Sequence, residues 1–316
     1  PSRHCRIPRE SGNYPFARNI TKRKNRRLLS TLKPFSSCTH SILEYAKSYK
    51  QTAEFISVDR KKFECLLQFL RPVSKRWPMH TCYYLMAHEL LPNTCDRALY
   101  LDLDIAVNGN ILELYNYDFG DDLIIVRKSG GDSIAQLATG QENFSHIVDF
   151  NINVATRGGY FNSGVVLMNL RGMRNKKIDM KYYCDMLAGR KNVFFDQGIL
   201  CVCLGKYAKL MQSCKYNYFI EQSIKGYTYE NKTKNSSLKY TFALPKDVKI
   251  IHYCGNIGLK PWVLHFDNDE ISGDGEAFCN IIPEYADYVD IWWKYARLTP
   301  DFKDLWEEQL KNKAAY

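Results

Sequence analysis

The stretch that most constrains this chain is Arg97 to Asn110, Arg-Ala-Leu-Tyr-Leu-Asp-Leu-Asp-Ile-Ala-Val-Asn-Gly-Asn. Ala98 to Leu101 form an apolar run with the makeup of a buried strand, and it stops at two carboxylates, Asp102 and Asp104, one residue apart. Alternate residues of an extended chain point to the same side, so both carboxylates can face one cation while Leu103 between them faces the core. Carboxylate oxygens suit hard divalent ions, and Mg²⁺ or Mn²⁺ held by one or two carboxylates usually completes its shell with substrate phosphates. The end of this strand is therefore expected to be a platform for a metal and a diphosphate. A solvated turn after a strand is the plainer reading of an isolated Asp-x-Asp, and the rest of the chain has to decide.

Composition narrows the class. A chain of 316 residues, 45% hydrophobic and 14% aromatic, can bury a large core, as one α/β domain or one domain with a small appendage. No run approaches the roughly 18 apolar residues of a membrane-spanning helix, and no apolar segment near the start resembles a secretory signal. The expected location is the cytoplasm. The net charge of +10 invites a nucleic-acid reading until it is located. Residues 1–30 carry nine basic side chains against Glu10, which leaves only +2 for the other 286 residues. The body is nearly neutral, and such an arm could touch phosphates or an anionic membrane surface, or simply be disordered. Eleven cysteines are too dilute for a disulfide scaffold, and no paired Cys-x-x-Cys knuckles exist, so buried free thiols in a reducing compartment fit best.

Hydrophobic periodicity predicts helix over Ser41 to Tyr49, a strand over Ala53 to Val58, helix over Lys62 to Leu70, and an amphipathic helix over Thr81 to Leu91 stopped by Pro92. After the central strand come a short helix at Ile111 to Tyr115 and buried strands at Asp122 to Val126 and Tyr160 to Leu170. Asn162, Ser163 and Gly164 open the latter and let the backbone lie close to a ligand. Helix is expected over Arg171 to Leu187 and from Phe195 to Gly205, and a strand at Val248 to Tyr253 ends near His252. Glu221 to Lys239 is a loop long enough to be a lid or an acceptor-binding segment. The aromatics of Tyr285 to Leu310 read as core packing rather than a sugar platform. The first thirty-odd residues show no helical or strand period.

Taken together, Glu89-Leu-Leu-Pro92, Leu99-Tyr-Leu-Asp-Leu-Asp104, Tyr160-Phe-Asn-Ser-Gly164 with Met168-Asn-Leu170, Phe195-Asp-Gln197, Lys215-Tyr-Asn-Tyr218, His252-Tyr-Cys-Gly255 with Lys260-Pro-Trp262, and Ile291-Trp-Trp-Lys-Tyr295 resemble glycosyltransferase family 8. These are retaining nucleotide-sugar transferases that include bacterial lipopolysaccharide galactosyl- and glucosyltransferases. The resemblance implies an α/β chain of GT-A fold, a mostly parallel sheet with flanking helices that binds its donor at the carboxyl ends of the strands. It implies an N-terminal segment over 1–35, a catalytic-type domain over 36–280 and a C-terminal helical segment over 281–316. By matching residue, Asp102, Asp104 and His252 would hold Mn²⁺, with Mg²⁺ less suited to a site containing imidazole. Lys260 would neutralise the diphosphate leaving group and Gly255 would let backbone approach it. Asn162, Asp196 and Gln197 would surround the donor sugar, UDP-glucose or UDP-galactose. The acceptor would be a lipopolysaccharide or lipooligosaccharide-type glycan or glycolipid at the inner face of a membrane, with no nucleic acid as partner. Gln197 matches the position beneath the sugar ring but is an amide and a poor nucleophile, which favours same-face attack over a covalent intermediate. Plainer roles stand beside these: a structural histidine, a helix cap at Asp196, a turn residue at Asn162, a surface cation at Lys260.

Four departures fall on donor binding. No acidic, aromatic motif of the Asp-Asp-Asn-Tyr kind precedes residue 36, and the chain opens on Pro, as expected of a fragment or a replaced start. Leu85 stands after Tyr83 and Tyr84 where the family has Arg; Asp196-Gln197-Gly198 lacks the usual second Asp; and four residues separate Gly255 from Lys260 where two are typical. Three outcomes follow: a working metal-dependent hexosyltransferase, a weakened or non-catalytic relative that binds nucleotide sugar poorly, or a binder of anionic membrane or nucleic acid through the basic arm.

Overall fold

The computed structural model describes residues 27–30, 36–70, 79–128, 161–190, 193, 195–211, 213, 215–219, 224–225, 241–242, 247–254, 261, 265–267, 270–272 and 285–299. The strands in chain order are β1 (Arg27–Ser30), β2 (Thr52–Phe55), β3 (Arg97–Leu101), β4 (Ile105–Val107), β5 (Ile124–Lys128), β6 (Phe161–Asn169), β7 (Ala208–Leu210), β8 (Tyr218–Phe219), β9 (Ile224–Lys225), β10 (Thr241–Phe242), β11 (Ile250–His252), β12 (His265–Asp267) and β13 (Glu270–Ser272). The chain divides into two compact units, one of residues 1–56, 219–246 and 253–316, the other of residues 57–218 and 247–252.

In the first unit β1 and β2 pair in parallel, Arg27 opposite Thr52 and Ser30 opposite Phe55, with the helix Ser36–Ser48 between them in sequence. The expectation of no strand in the first thirty-odd residues is corrected here. A four-residue strand whose only apolar side chains are Leu28 and Leu29 is too short to leave a periodic signature. The other paired strands, β9 with β10 and β12 with β13, are antiparallel. In the helix Tyr285–Ala296, Trp293 is buried and meets Trp292 edge to face at 4.9 Å, so at least this aromatic packs as expected.

The second unit holds the four-stranded sheet β3-β6-β5-β7 and the pair β4-β11, whose sheet is completed by β8 beginning at Tyr218. The long strand β6 lies inside the first sheet because Val165, Val166, Leu167 and Met168 are fully buried and need cover on both faces. It runs antiparallel to both β3 and β5, while β5 and β7 are parallel. The α/β architecture is as expected; the direction of β6 could not be read, since an apolar run buried on both faces carries no directional signal. Leu114, Phe119, Ile125, Val165, Leu167, Met211, Tyr216 and Ile250 form a core cluster against which Leu99, Leu101 and Ile105 pack. Each such aliphatic side chain contributes roughly 1.5–3 kcal/mol when fully buried. β3 itself is only partly buried along its length, because it ends the sheet order among the described residues.

Three helical expectations change in form. Arg60–Gln68 and Met79–Met86 are 3-10 helices, the first capped by the Asp59 carboxylate, which accepts the Lys61 N–H at 3.0 Å. Cys82 through Met86 are all buried, so this segment has no solvent-facing stripe, and a single α-turn, Ala87–Leu90, follows. The helix expected over Arg171 to Leu187 is two, Leu170–Asn175 and Met180–Leu187; Lys177 at φ 53° breaks the first, and Asp179 caps the second through Tyr182 N–H. Arg174 on the first of these fixes the approach to β3. Its guanidinium donates to the carbonyls of His88 (2.7 Å), Cys95 (2.9 Å), Leu91 and Pro92 (both 3.2 Å). The backbone from the α-turn to the strand is thereby anchored by charge-assisted bonds.

Candidate metal and donor site

Two strand pairings build the site. β3 pairs with β6 up to Leu101 opposite Val165, and Asp102 N–H continues that ladder to the Gly164 carbonyl at 2.8 Å. The chain then turns, and β4 enters the other sheet, where Ile105 lies opposite His252 of β11. The turn 102–104 thus sits where the two sheets meet, and registers on both sides carry the carboxylates to an imidazole about 150 positions away. His252 Nε2 lies 3.1 Å from Asp104 Oδ1 and 3.6 Å from Asp102 Oδ2. One ligand atom from each of Asp102, Asp104 and His252 lies within 4.8 Å of the others. Leu103 departs from expectation. It points away from the carboxylates, as alternation requires, but toward solvent rather than core, at 91% exposure.

Gly164 makes the approach possible. A Cβ there would lie 2.1 Å from His252 Cε1, 2.6 Å from Nδ1 and 2.9 Å from Asp102 Oδ2, distances no side chain tolerates. The sequence had marked this glycine for closeness to a ligand; what it admits is the imidazole.

A chain of amides runs from the imidazole to the start of the helix Phe195–Leu204. Gly164 N–H donates to Asn162 Oδ1 (2.8 Å), which also accepts Asn217 Nδ2–H (2.9 Å), while Asn217 Oδ1 meets His252 Nδ1 at 2.7 Å. In the other direction Asn162 Nδ2–H and Ser163 N–H both donate to Gln197 Oε1, each at 3.2 Å. Backbone N–H groups can only donate, so Gly164 fixes which end of Asn162 is oxygen and Ser163 does the same for Gln197. Asn162, expected near the donor sugar, thus connects Gln197 with the histidine.

Asp196 belongs to a second cluster. Tyr84 and Tyr100 stack with ring centroids 3.7 Å apart; Tyr84 Oη donates to Asp196 Oδ2 (3.0 Å) and Tyr100 Oη to Asp102 Oδ1 (2.7 Å). Ser163 Oγ gives Asp196 a second donor at 3.1 Å. Burial holds both phenols far above their ordinary pKa, so they remain donors. Burial, and then the charge of Asp102, push the Asp196 carboxyl up to about 7, against the opposing effect of its two hydroxyl donors. Asp196 lies in the first turn of the helix, and its carboxylate takes two hydroxyl donors from outside the helix.

The structure therefore brings together Asp102, Asp104, His252, Asn162, Asp196 and Gln197. Gly255 and Lys260 lie outside the described residues, as does most of the loop Glu221 to Lys239. Tyr84, Tyr100 and Asn217 carry the network without having been assigned roles from sequence. The only signal was positional: Asn217 sits in the motif Lys215-Tyr-Asn-Tyr218, and its φ of 63° is a conformation Asn tolerates better than most side chains.

The donor set suits a divalent cation. Ligands at right angles about 2.1 Å from one ion lie roughly 3 Å apart, close to the two distances from Nε2. Two carboxylates facing an imidazole nitrogen repel its lone pair unless a proton on that nitrogen, donated to Asp104 at 3.1 Å, or a cation lies between them. Carboxylate, carboxylate and imidazole admit Mn²⁺ readily.

Comparison with known proteins gives the family and the fold. The sequence profile of Glycosyl transferase family 8 matches residues 31–264. A lipopolysaccharide 1,2-glucosyltransferase of Escherichia coli is 30% identical over 225 residues, covering 69% of this chain and 58% of that protein. A lipopolysaccharide 1,3-galactosyltransferase of Salmonella typhimurium is 26% identical over 227 residues, with the same two coverages. The chain thus spans little more than half the length of these curated relatives. Among solved structures, galactosyltransferase LgtC in complex with donor and acceptor sugar analogs superposes with a TM-score of 0.53 at 20% identity, over 83% of this chain and 84% of that one. That likeness gives the fold as the GT-A type. A family profile spanning most of the chain, with its Asp-x-Asp turn and distant histidine meeting in space, leaves one conclusion: the chain belongs to glycosyl transferase family 8.

Proposed function

We propose that this chain is the catalytic domain, centred on residues 36–280, of a retaining hexosyltransferase. In this reading it moves glucose or galactose from a UDP-sugar to a lipopolysaccharide-type acceptor at the cytoplasmic face of a membrane. The observation that carries the proposal is the meeting of Asp102, Asp104 and His252. These three would hold Mn²⁺, which when bound supplies positive charge to the diphosphate as the anomeric C–O bond breaks. Lys260 would add a second positive charge at the leaving group, and Gly255 close backbone approach. Among the described residues no helix is long and apolar enough to cross a membrane.

The chain's own residues shape the sugar side. Gln197 Oε1 is occupied by two donors, which leaves its –NH₂ as the end free to meet a sugar hydroxyl or ring oxygen. An amide whose one nucleophilic atom is engaged in this way is a poor candidate for attack at the anomeric carbon. This supports attack by the acceptor on the face the leaving group departs from. Asp196, held by Tyr84 and Ser163, would accept from or donate to a sugar hydroxyl according to its protonation.

One observation favours the weakened-enzyme reading. Leu85, where the family offers an arginine, is fully buried, so that position supplies no cation to the donor. Hydrolysis and transfer assays with UDP-glucose and UDP-galactose, with Mn²⁺ and after chelation, separate the two. Metal-dependent turnover supports the transferase reading; metal-dependent UDP binding without turnover supports the weakened one; binding of neither nucleotide nor sugar contradicts both.

A further inference from the structure

We infer that Asn217 is a positioning residue that fixes His252 with its proton on Nδ1, leaving Nε2 as a lone-pair ligand aimed at Asp102 and Asp104. The inference rests on reading those three residues as cation ligands, and its starting point is a backbone group. Gly164 N–H donates to Asn162 Oδ1, so that atom must be oxygen. The neighbouring Asn217 atom at 2.9 Å must then be the amide nitrogen, since two oxygens would repel. Asn217 Oδ1 is thereby turned toward His252 Nδ1 at 2.7 Å, and an oxygen at that distance requires a proton on the ring nitrogen. With Nδ1 protonated, Nε2 is the one ring nitrogen that can offer a lone pair. It lies 3.1 and 3.6 Å from the two carboxylates, where either a second proton donated to Asp104 or a cation must sit between, and the cation takes the place of that proton.

Nothing in this relay can rotate alone. Flipping Asn217 would set its oxygen against Asn162 Oδ1, and flipping Asn162 would set two donors against each other at Gly164. Asn217 and His252 are 0% and 1% exposed, so water has no access with which to compensate either error. Asn217 is also clamped through its main chain, where Arg127 Nη1 donates to its carbonyl at 2.5 Å and the backbone holds φ at 63°. A residue kept in a sparsely populated conformation is held there by its surroundings, and here the conformation delivers an acceptor to the one nitrogen that must not bind the cation. Partners that orient a metal-binding histidine in this way are typically worth about 10–100-fold in metal affinity.

The test uses the full chain labelled with ¹⁵N-histidine, with His252 signals identified by their loss in His252→Gln. Two variants separate orientation from packing, because Gly and Asp both tolerate the left-handed backbone at this position. Both lose the bond to Asn162, but only Asn217→Asp keeps an acceptor against Nδ1. Long-range ¹H–¹⁵N correlation at alkaline pH should show metal-free wild type and Asn217→Asp with the proton on Nδ1, and Asn217→Gly with the tautomers mixed. Mn²⁺ titration should give an affinity about 10–100-fold weaker in Asn217→Gly and substantially retained in Asn217→Asp. A wild-type proton on Nε2, or Asn217→Gly with wild-type tautomer and affinity, overturns the inference. Wild type with the proton on Nδ1 but no Mn²⁺ binding overturns the cation platform instead, and with it the ligand role of Nε2.

Discussion

The turn at Asp102–Asp104 and the helix start at Asp196–Gln197 face the same region with similar side chains in opposite states. At the turn, two carboxylates converge on an imidazole nitrogen, just beyond a strand that ends its sheet order among the described residues. At the helix start, the Asp196 carboxylate has two hydroxyl donors and the Gln197 oxygen has two amide donors, beside the buried strand β6. The first is a donor set organised for an added cation. The second is a polar network whose acceptor oxygens already have donors and whose carboxyl is pushed toward neutrality. Under the proposed function, the difference would separate charge on the diphosphate side from hydrogen bonding on the sugar side.

Removing one carboxylate from the turn should break the comparison most severely. Asp104→Ala is expected to weaken Mn²⁺ by more than about 100-fold, since a direct ligand should matter more than the 10–100-fold typical of its outer partners. Isothermal titration calorimetry checks it, and unchanged affinity would place the cation elsewhere. At the helix start the largest effect is on stability. The folded Asp196 carboxyl, at about 7, keeps its proton where the unfolded one, at about 4, has lost it. The folded state therefore binds more protons between those values, and stability falls as pH rises through that window. Asp196→Asn removes this slope and should gain on the order of 2–4 kcal/mol relative to wild type between about pH 4 and pH 8. Denaturant unfolding at both pH values reads it; parallel pH profiles for the two proteins would contradict the shifted carboxyl.

Gly164→Ala probes the boundary between the two regions. The added methyl must displace His252 or Asp102, and overpacking of this kind costs about 1–3 kcal/mol. Thermal unfolding and Mn²⁺ titration should both worsen, whereas a stable variant with full affinity would show that the imidazole has room to move. Leu103→Ser should do least, within about 0.5 kcal/mol, because the side chain is 91% exposed. A larger loss of stability would mean that Leu103 packs after all.

The same contrast explains what was legible beforehand. The Asp102–Asp104 pair stands out because carboxylates rarely end an apolar run, and its histidine was found through matching motifs at the end of another apolar run. Asn162, Asp196 and Gln197 were found through the same motifs, but their partners were not. Tyr84 and Tyr100 read as ordinary apolar filler, since a phenol's polar end leaves no mark on hydrophobic periodicity. Asn217 owes its role to a left-handed backbone and to a strand pairing far along the chain, neither of which spacing reveals. The burial of Leu103 was misjudged for a related reason. Alternation tells which side a residue faces but not what lies there, and beyond a strand's last residue that side can be water. Element positions were largely readable, whereas the direction of β6 and the break between the helices Leu170–Asn175 and Met180–Leu187 depended on packing partners.

The central claim is that Asp102, Asp104 and His252 share one cation. Its most direct test is anomalous diffraction at the manganese edge from crystals of the chain grown with Mn²⁺ and UDP. The account predicts one manganese peak bounded by a carboxylate oxygen of each aspartate and by His252 Nε2, with diphosphate oxygens completing the shell. A manganese peak away from these three side chains, or UDP bound at this place with His252 Nε2 turned from the metal, would contradict it.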